Sequence, residues 1–159
     1  MLRLRGAWRV CVAAGSYTLA MDIETSIARV RDALLGEERV AAAILFGSAA
    51  KGAARRSSDL DVALIARSRA DRAGLEADAL DLAGRLSAAA GRDVQLVLLE
   101  AVEPVLGRQA FLGGRVLFDR DPARSAEVLE RILIEYFDGE THRRIRSEAL
   151  ERRREARRG

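Results

Sequence analysis

Two aspartates, Asp59 and Asp61, flank a single leucine, and ten residues separate them from the pair Gly47-Ser48. Residues two apart on a strand project to the same side, so an Asp-x-Asp pair on a strand sets two carboxylates together at one edge of a sheet. Carboxylates so placed repel each other. That cost is relieved by a hard divalent cation between them, and Mg²⁺ prefers one or two carboxylates together with substrate phosphate oxygens and water. Gly47 and Ser48 supply the complementary half: a glycine lets the backbone approach closely, and turn N–H groups with a hydroxyl can face phosphate oxygens. The turn is not a Walker loop, because Gly52 is followed by Ala53 and not by Lys-Ser or Lys-Thr. Asp93 opens a later apolar run and stands where a neighbouring strand could bring in a third carboxylate. Three carboxylates facing a phosphate-holding turn make a site for one or two metal ions, with one acid free to activate an attacking hydroxyl. The chemistry implied is nucleotidyl transfer from a nucleoside triphosphate.

Gly-Ser and Asp-x-Asp are each ordinary turn and cap residues, so their joint spacing carries the weight. At average residue frequencies all four positions coincide in a chain of this size roughly once in a thousand. Asp93, following Gly91-Arg92, also reads as a plain turn acid. Lys51, Arg55 and Arg56 lie in the connecting loop, where they either touch a triphosphate or are merely solvated. His142 reads as a surface residue, and Cys11 carries no chemistry in this reading.

The elements that must position these residues follow from periodicity. Asp22 can N-cap a helix in which Ile23, Ile27, Val30 and Leu34 recur at helical spacing, and Gly36 ends it. The continuous apolar run 40–46 suggests a strand buried on both faces, and the Gly-Ser turn with a short helical segment follows it directly. A second strand is expected at 60–66, a helical segment over 71–90 with Leu75, Leu82 and Leu86 on one face, and a third strand at 93–99. Pro104 suits the first turn of a helix that stops at Gly113-Gly114; 115–119 reads as a short edge strand, and 123–137 as an amphipathic helix. The order predicts an α/β sandwich, a small mixed sheet covered by helices.

At 159 residues the chain has room for one domain, expected over 21–140. Residues 1–20 read as a disordered extension or a misplaced start, with Met21 a second possible initiator, and 141–159 as an arginine-rich helix or tail. The formal charge of +3 divides unevenly. Three arginines and no acid in 1–20 give +3, eight arginines against three glutamates in 143–159 give +5, and the body between carries −5. A mildly acidic body with basic ends is no basic groove, and without interleaved aromatics the tail argues against direct nucleic-acid binding. One cysteine forms no intramolecular disulfide, and no apolar run approaches the ~20 residues of a membrane span. A cytoplasmic, non-membrane protein is expected.

The run Gly47-Ser48, ten residues, Asp59-Leu60-Asp61 resembles the signature of the DNA polymerase β-like nucleotidyltransferase superfamily. The small size, the preceding helix and the later segments from Asp93 and Gly114 resemble its minimal nucleotidyltransferase (MNT) branch, the antitoxins of HEPN/MNT toxin–antitoxin pairs. The resemblance implies the polymerase β-like fold, a triphosphate held by Gly47 and Ser48, and Mg²⁺ held by Asp59, Asp61 and Asp93, with Asp93 the base. It further implies ATP as substrate and transfer of AMP to a tyrosine of a partner HEPN ribonuclease. Two departures stand out: Gln95, where many relatives carry an acid or small polar residue, and the basic ends. Two other functions remain open, a binding antitoxin that masks its partner without catalysis and an aminoglycoside-type transferase, although the latter usually needs a second domain.

Overall fold

The structure is a computed structural model that describes residues 10–11, 22–52 and 58–155, with side chains over 22–52 and 58–139. Its elements in chain order are β1 (Val10–Cys11), α1 (Ile23–Leu35), β2 (Val40–Phe46), α2 (Gly47–Ala50), β3 (Leu60–Ala66), α3 (Arg69–Ala77), α4 (Ala79–Ala90), β4 (Val94–Leu98), α5 (Pro104–Gly113), β5 (Arg115–Asp119) and α6 (Pro122–Glu155). The five strands form one mixed sheet in the order β1-β4-β3-β2-β5. β3 and β4 run parallel, and every other neighbouring pair is antiparallel.

β2 is buried along its whole length because helices cover both faces of the sheet. On one face Val40, Ala43 and Leu45 join Leu60, Val62 and Leu64 beneath Ile27, Val30 and Leu34 of α1 and Leu82 and Leu86 of α4. On the other, Ile44 and Phe46 join Ile65 and Val97 beneath Ala110 of α5 and Val128 and Ile132 of α6. The pairing with β3 skips Ala41, so Ala41 and Ala42 both belong to the second face; alternation fails there because the strand is bulged. Gly107 lets α5 come close to α6: a Cβ there would stand 2.9 Å from Ile132 Cδ1.

α1 begins as expected, with the Asp22 carboxylate accepting from the Glu24 N–H at 3.2 Å. The segment expected as one helical stretch over 71–90 is two helices. Asp78 departs from helical geometry (φ −95°, ψ 5°) and its carboxylate is drawn to Arg39 at 2.7 Å. Leu75 and Leu86 nevertheless share one core cluster, which is why the apolar spacing reads as a single helix. β5 is an edge strand, as its half-polar sequence requires. The amphipathic segment at 123–137 and the arginine-rich stretch beyond it form one continuous helix to Glu155. Val10 and Cys11 pair with Leu96 and Gln95; the remainder of 1–21 and the loop carrying Arg55 and Arg56 lie outside the described residues. No helix among the described residues is long and apolar enough to cross a membrane.

Candidate functional site

The site is built where β2 ends and where β3 and β4 begin. Antiparallel pairing sets Phe46, the last residue of β2, across from Asp61. The chain then turns at once into α2 through Gly47, whose φ of +73° lies in the left-handed region that side chains resist. Space excludes a side chain there as well. A Cβ on Gly47 would fall on Asp61 Oδ2, with Asp61 Cγ 3.2 Å away. Backbone and carboxylate are therefore packed against each other, which no other residue type at 47 would allow. Ser48, the next residue, is exposed on the first turn of α2.

Gly47 and Asp61 line a cavity of about 510 Å³ together with Lys51 from the end of the turn and Arg108, Gln109 and Leu112 from α5. Arg108 stacks over the Tyr136 ring at 4.9 Å, so its guanidinium is steered by α6. Lys51 and Arg108 give this cavity two cations beside a carboxylate. The sequence marks Lys51 by its place in the loop; Arg108 and Gln109 carry no such mark beyond being a polar pair inside the otherwise apolar α5.

Asp59 precedes β3 by one residue, and its Oδ2 accepts a hydrogen bond from Gln95 Nε2 at 2.9 Å. Gln95 belongs to β4, where the parallel register sets it directly across from Asp61. Asp93 lies two residues earlier, just outside the strand, and its carbonyl oxygen accepts from the Leu60 N–H at 2.9 Å. Arg92 ties this edge down: it donates to Ser26 Oγ at 3.0 Å and to the Ser58 carbonyl at 3.3 Å. The sequence-predicted residues Gly47, Asp59, Asp61 and Asp93 thus all stand at one edge of the sheet. They do not close into a three-acid cage. Among the described residues no group of three His, Cys, Asp or Glu side chains is placed to hold a metal ion. The position that faces Asp61 on the neighbouring strand belongs to a neutral amide.

Mg²⁺ fits this donor set in a restricted way. Asp59, just before β3, and Asp61, within it, offer hard carboxylate oxygens, two carboxylates being as many as the ion commonly takes from protein when phosphate oxygens and water complete its shell. The Gly47–Asp61 contact sets Asp61 in the wall of a cavity that Lys51 and Arg108 also line, where phosphate would lie.

The profile of the family described as Polymerase beta, Nucleotidyltransferase matches residues 29–123, more than half of the chain and the part that contains every residue of this site. No curated protein matches the sequence significantly. Among solved structures, the chain is similar in fold to a toxin–antitoxin structure with AMP-PNP (TM-score 0.58, 23% identity, 82% of this chain and 98% of that one). It is similar also to the MntA–HepT toxin–antitoxin structure (TM-score 0.60, 20% identity, 80% and 97%). A third similar structure is a tri-AMPylated Shewanella oneidensis HEPN toxin in complex with MNT antitoxin (TM-score 0.58, 20% identity, 81% and 98%). With the Gly-Ser turn pressed onto an Asp-x-Asp strand and the family profile spanning both, the chain belongs to the polymerase beta nucleotidyltransferase family.

Proposed function

We propose that this protein is a Mg²⁺-dependent nucleotidyltransferase that serves as the antitoxin of a HEPN/MNT pair, moving AMP from ATP to a tyrosine of its partner HEPN ribonuclease. The observation that carries the reading is the contact between Gly47 and Asp61, which joins the phosphate-facing turn to the acidic strand beside a cavity with two cations. The similar solved structures that contain AMP-PNP or an AMPylated HEPN toxin support ATP and the partner.

In this reading the Gly47 and Ser48 backbone with the Ser48 hydroxyl holds triphosphate oxygens, while Lys51 and Arg108 offset their charge. Asp59 and Asp61 would hold Mg²⁺, which when bound polarises the phosphoryl group and neutralises charge on it. A tyrosine oxygen attacks the α-phosphate; its bond to phosphorus forms as the bridging bond to the β-phosphate breaks, and pyrophosphate carries off the electron pair. The phenolic proton passes to Asp93, the acid of this edge outside the Asp-x-Asp pair.

The partner reading has support of its own. α6 exposes an apolar groove of about 510 Å³ lined by Leu129, Leu133, Ile134 and Phe137, with Ile134 and Phe137 more than half exposed. A contiguous apolar patch of this kind suits a protein surface better than water. The same groove favours a second reading, in which docking alone masks the partner.

Intact mass of the HEPN partner after incubation with this protein, ATP and Mg²⁺ separates the two, with the Asp59→Asn/Asp61→Asn variant as control. One or more added AMP groups, absent with the variant, is the expected result. An unmodified partner in a stable complex would leave masking as the function.

A further inference from the structure

Gln95 is the one polar side chain that β4 presents across from Asp61, and it spends its amide N–H on Asp59 Oδ2 at 2.9 Å. An amide in that place changes the electrostatics of the site. A carboxylate there would add a third negative charge beside two that already repel, a cost met only by a bound cation. The amide instead donates to one of them and holds its orientation, leaving Oδ1 of Asp59 for a ligand. Two carboxylates supply too few ligands for Mg²⁺ on their own; the rest must come from water and from phosphate oxygens.

We propose that Gln95 makes this a site that takes its divalent cation only together with the nucleoside triphosphate, because the neutral amide occupies the place from which a third acid would capture the cation beforehand. The inference rests on the nucleotidyl-transfer reading above. In that order of binding the cation arrives on the phosphates, and Asp59, oriented by Gln95, is a ready-made acceptor for it. Gln95 is in this sense a positioning residue, acting on the cation through Asp59.

Mn²⁺, a paramagnetic substitute for Mg²⁺, reads this directly by electron paramagnetic resonance without any turnover. The wild-type protein without nucleotide is expected to bind Mn²⁺ weakly. Gln95→Glu, nearly equal in shape, is expected to bind it about ten- to a hundredfold more tightly, and its melting temperature should become dependent on Mn²⁺ where that of the wild type is not. Gln95→Asp provides the same charge if the longer acid does not fold. Wild-type protein that already binds Mn²⁺ tightly without nucleotide would overturn the inference, as would folded acidic variants with unchanged Mn²⁺ affinity.

A parallel calorimetric titration with a non-hydrolysable ATP analogue keeps the two levels apart. Mn²⁺-dependent binding of the analogue that is lost in Asp61→Asn upholds the nucleotidyl-transfer reading whatever Gln95 does. Absence of such binding in the wild type would remove that reading, and with it the ground for the inference.

Discussion

The two ends of the sheet treat their acids in opposite ways. At the end where β3 and β4 finish, Glu100 is sunk until its side chain is 1% exposed, and Oε1 accepts from the Ala66 N–H at 3.1 Å and from Arg124 at 3.2 Å. Nearby, Glu37 and Asp78 both grip Arg39, and Arg120 donates to the Leu35 and Glu37 carbonyls at the end of α1. Each of these acids has a guanidinium, and each guanidinium ties together elements that are distant in sequence. At the end where the same strands begin, Asp59 accepts instead from the neutral Gln95 amide. A charge given a full counter-ion is spent on holding the fold. One given only an amide keeps most of its field for a ligand, which is the condition a cation-binding site needs.

That contrast is sharpest in Asp61→Asn. Nucleotidyl transfer should fall by at least about a hundredfold, since one of the two carboxylates proposed to hold the cation becomes an amide. The protein should stay folded, because asparagine keeps the shape of the aspartate it replaces. Transfer near the wild-type rate would take Asp61 out of the site. At the opposite end, Glu100→Ala should reverse the pattern. It leaves the buried Ala66 N–H without its acceptor and takes from Arg124 the buried one of its two carboxylates, Glu127 remaining at 3.0 Å, and should cost about 2–3 kcal/mol in urea unfolding. The folded fraction should transfer AMP at the wild-type rate. A variant that kept its stability would show that the arginine clamps are not what holds that end.

Gly47→Ala bears on both properties at once, since the residue belongs to the fold and to the site. The left-handed φ alone costs about 1–2 kcal/mol for a residue with a side chain, and the Asp61 carboxylate must move to admit a methyl group. Loss of stability together with loss of transfer is expected. If Gly47→Ala retains full transfer once stability is corrected for, the Gly47–Asp61 contact does not set the position of the carboxylate.

How much of this was legible beforehand depends on whether the signal is local. β2, β3 and β5 fall where the apolar runs 40–46, 60–66 and 115–119 predict them, because a strand covered on both faces leaves a continuous apolar record and an edge strand a short one. The Asp22 cap and the Pro104 start are likewise written within a few residues of where they act. The break at Asp78 is not, because its partner is Arg39, on the other side of β2 and β3, and the leucines on both sides of it keep helical spacing. Arg108 leaves no local mark for the same reason: only the packing of α5 against β2 brings it to the cavity that Asp61 lines. The third acid shows the limit most clearly. Sequence places Asp93 at the head of β4, yet which residue faces Asp61 depends on the offset of two parallel strands joined by two helices, and that offset selects Gln95. No pattern inside either strand contains it.

The smallest predicted effect tests whether the clamps at the far end are electrostatic. The Arg39 guanidinium, hydrogen-bonded at 2.8 Å, holds the Glu37 carboxyl below its ordinary value of 4.5. A carboxyl whose pKa is lower in the folded state than in the unfolded chain stabilises the fold at pH values above 4.5, and loses that contribution as pH falls through the folded value, where both states are protonated. Glu37→Gln removes this titration while keeping shape and a hydrogen-bond acceptor. Urea unfolding of both proteins from pH 7 down to pH 3 should therefore show the wild type more stable at neutral pH and the two curves converging below pH 4.5. Added salt should narrow the gap at pH 7, because the pair is only partly shielded from water. A gap that stayed constant with pH would assign the contribution of Glu37 to packing, and would leave the contrast between the two ends resting on Glu100 and Arg124 alone.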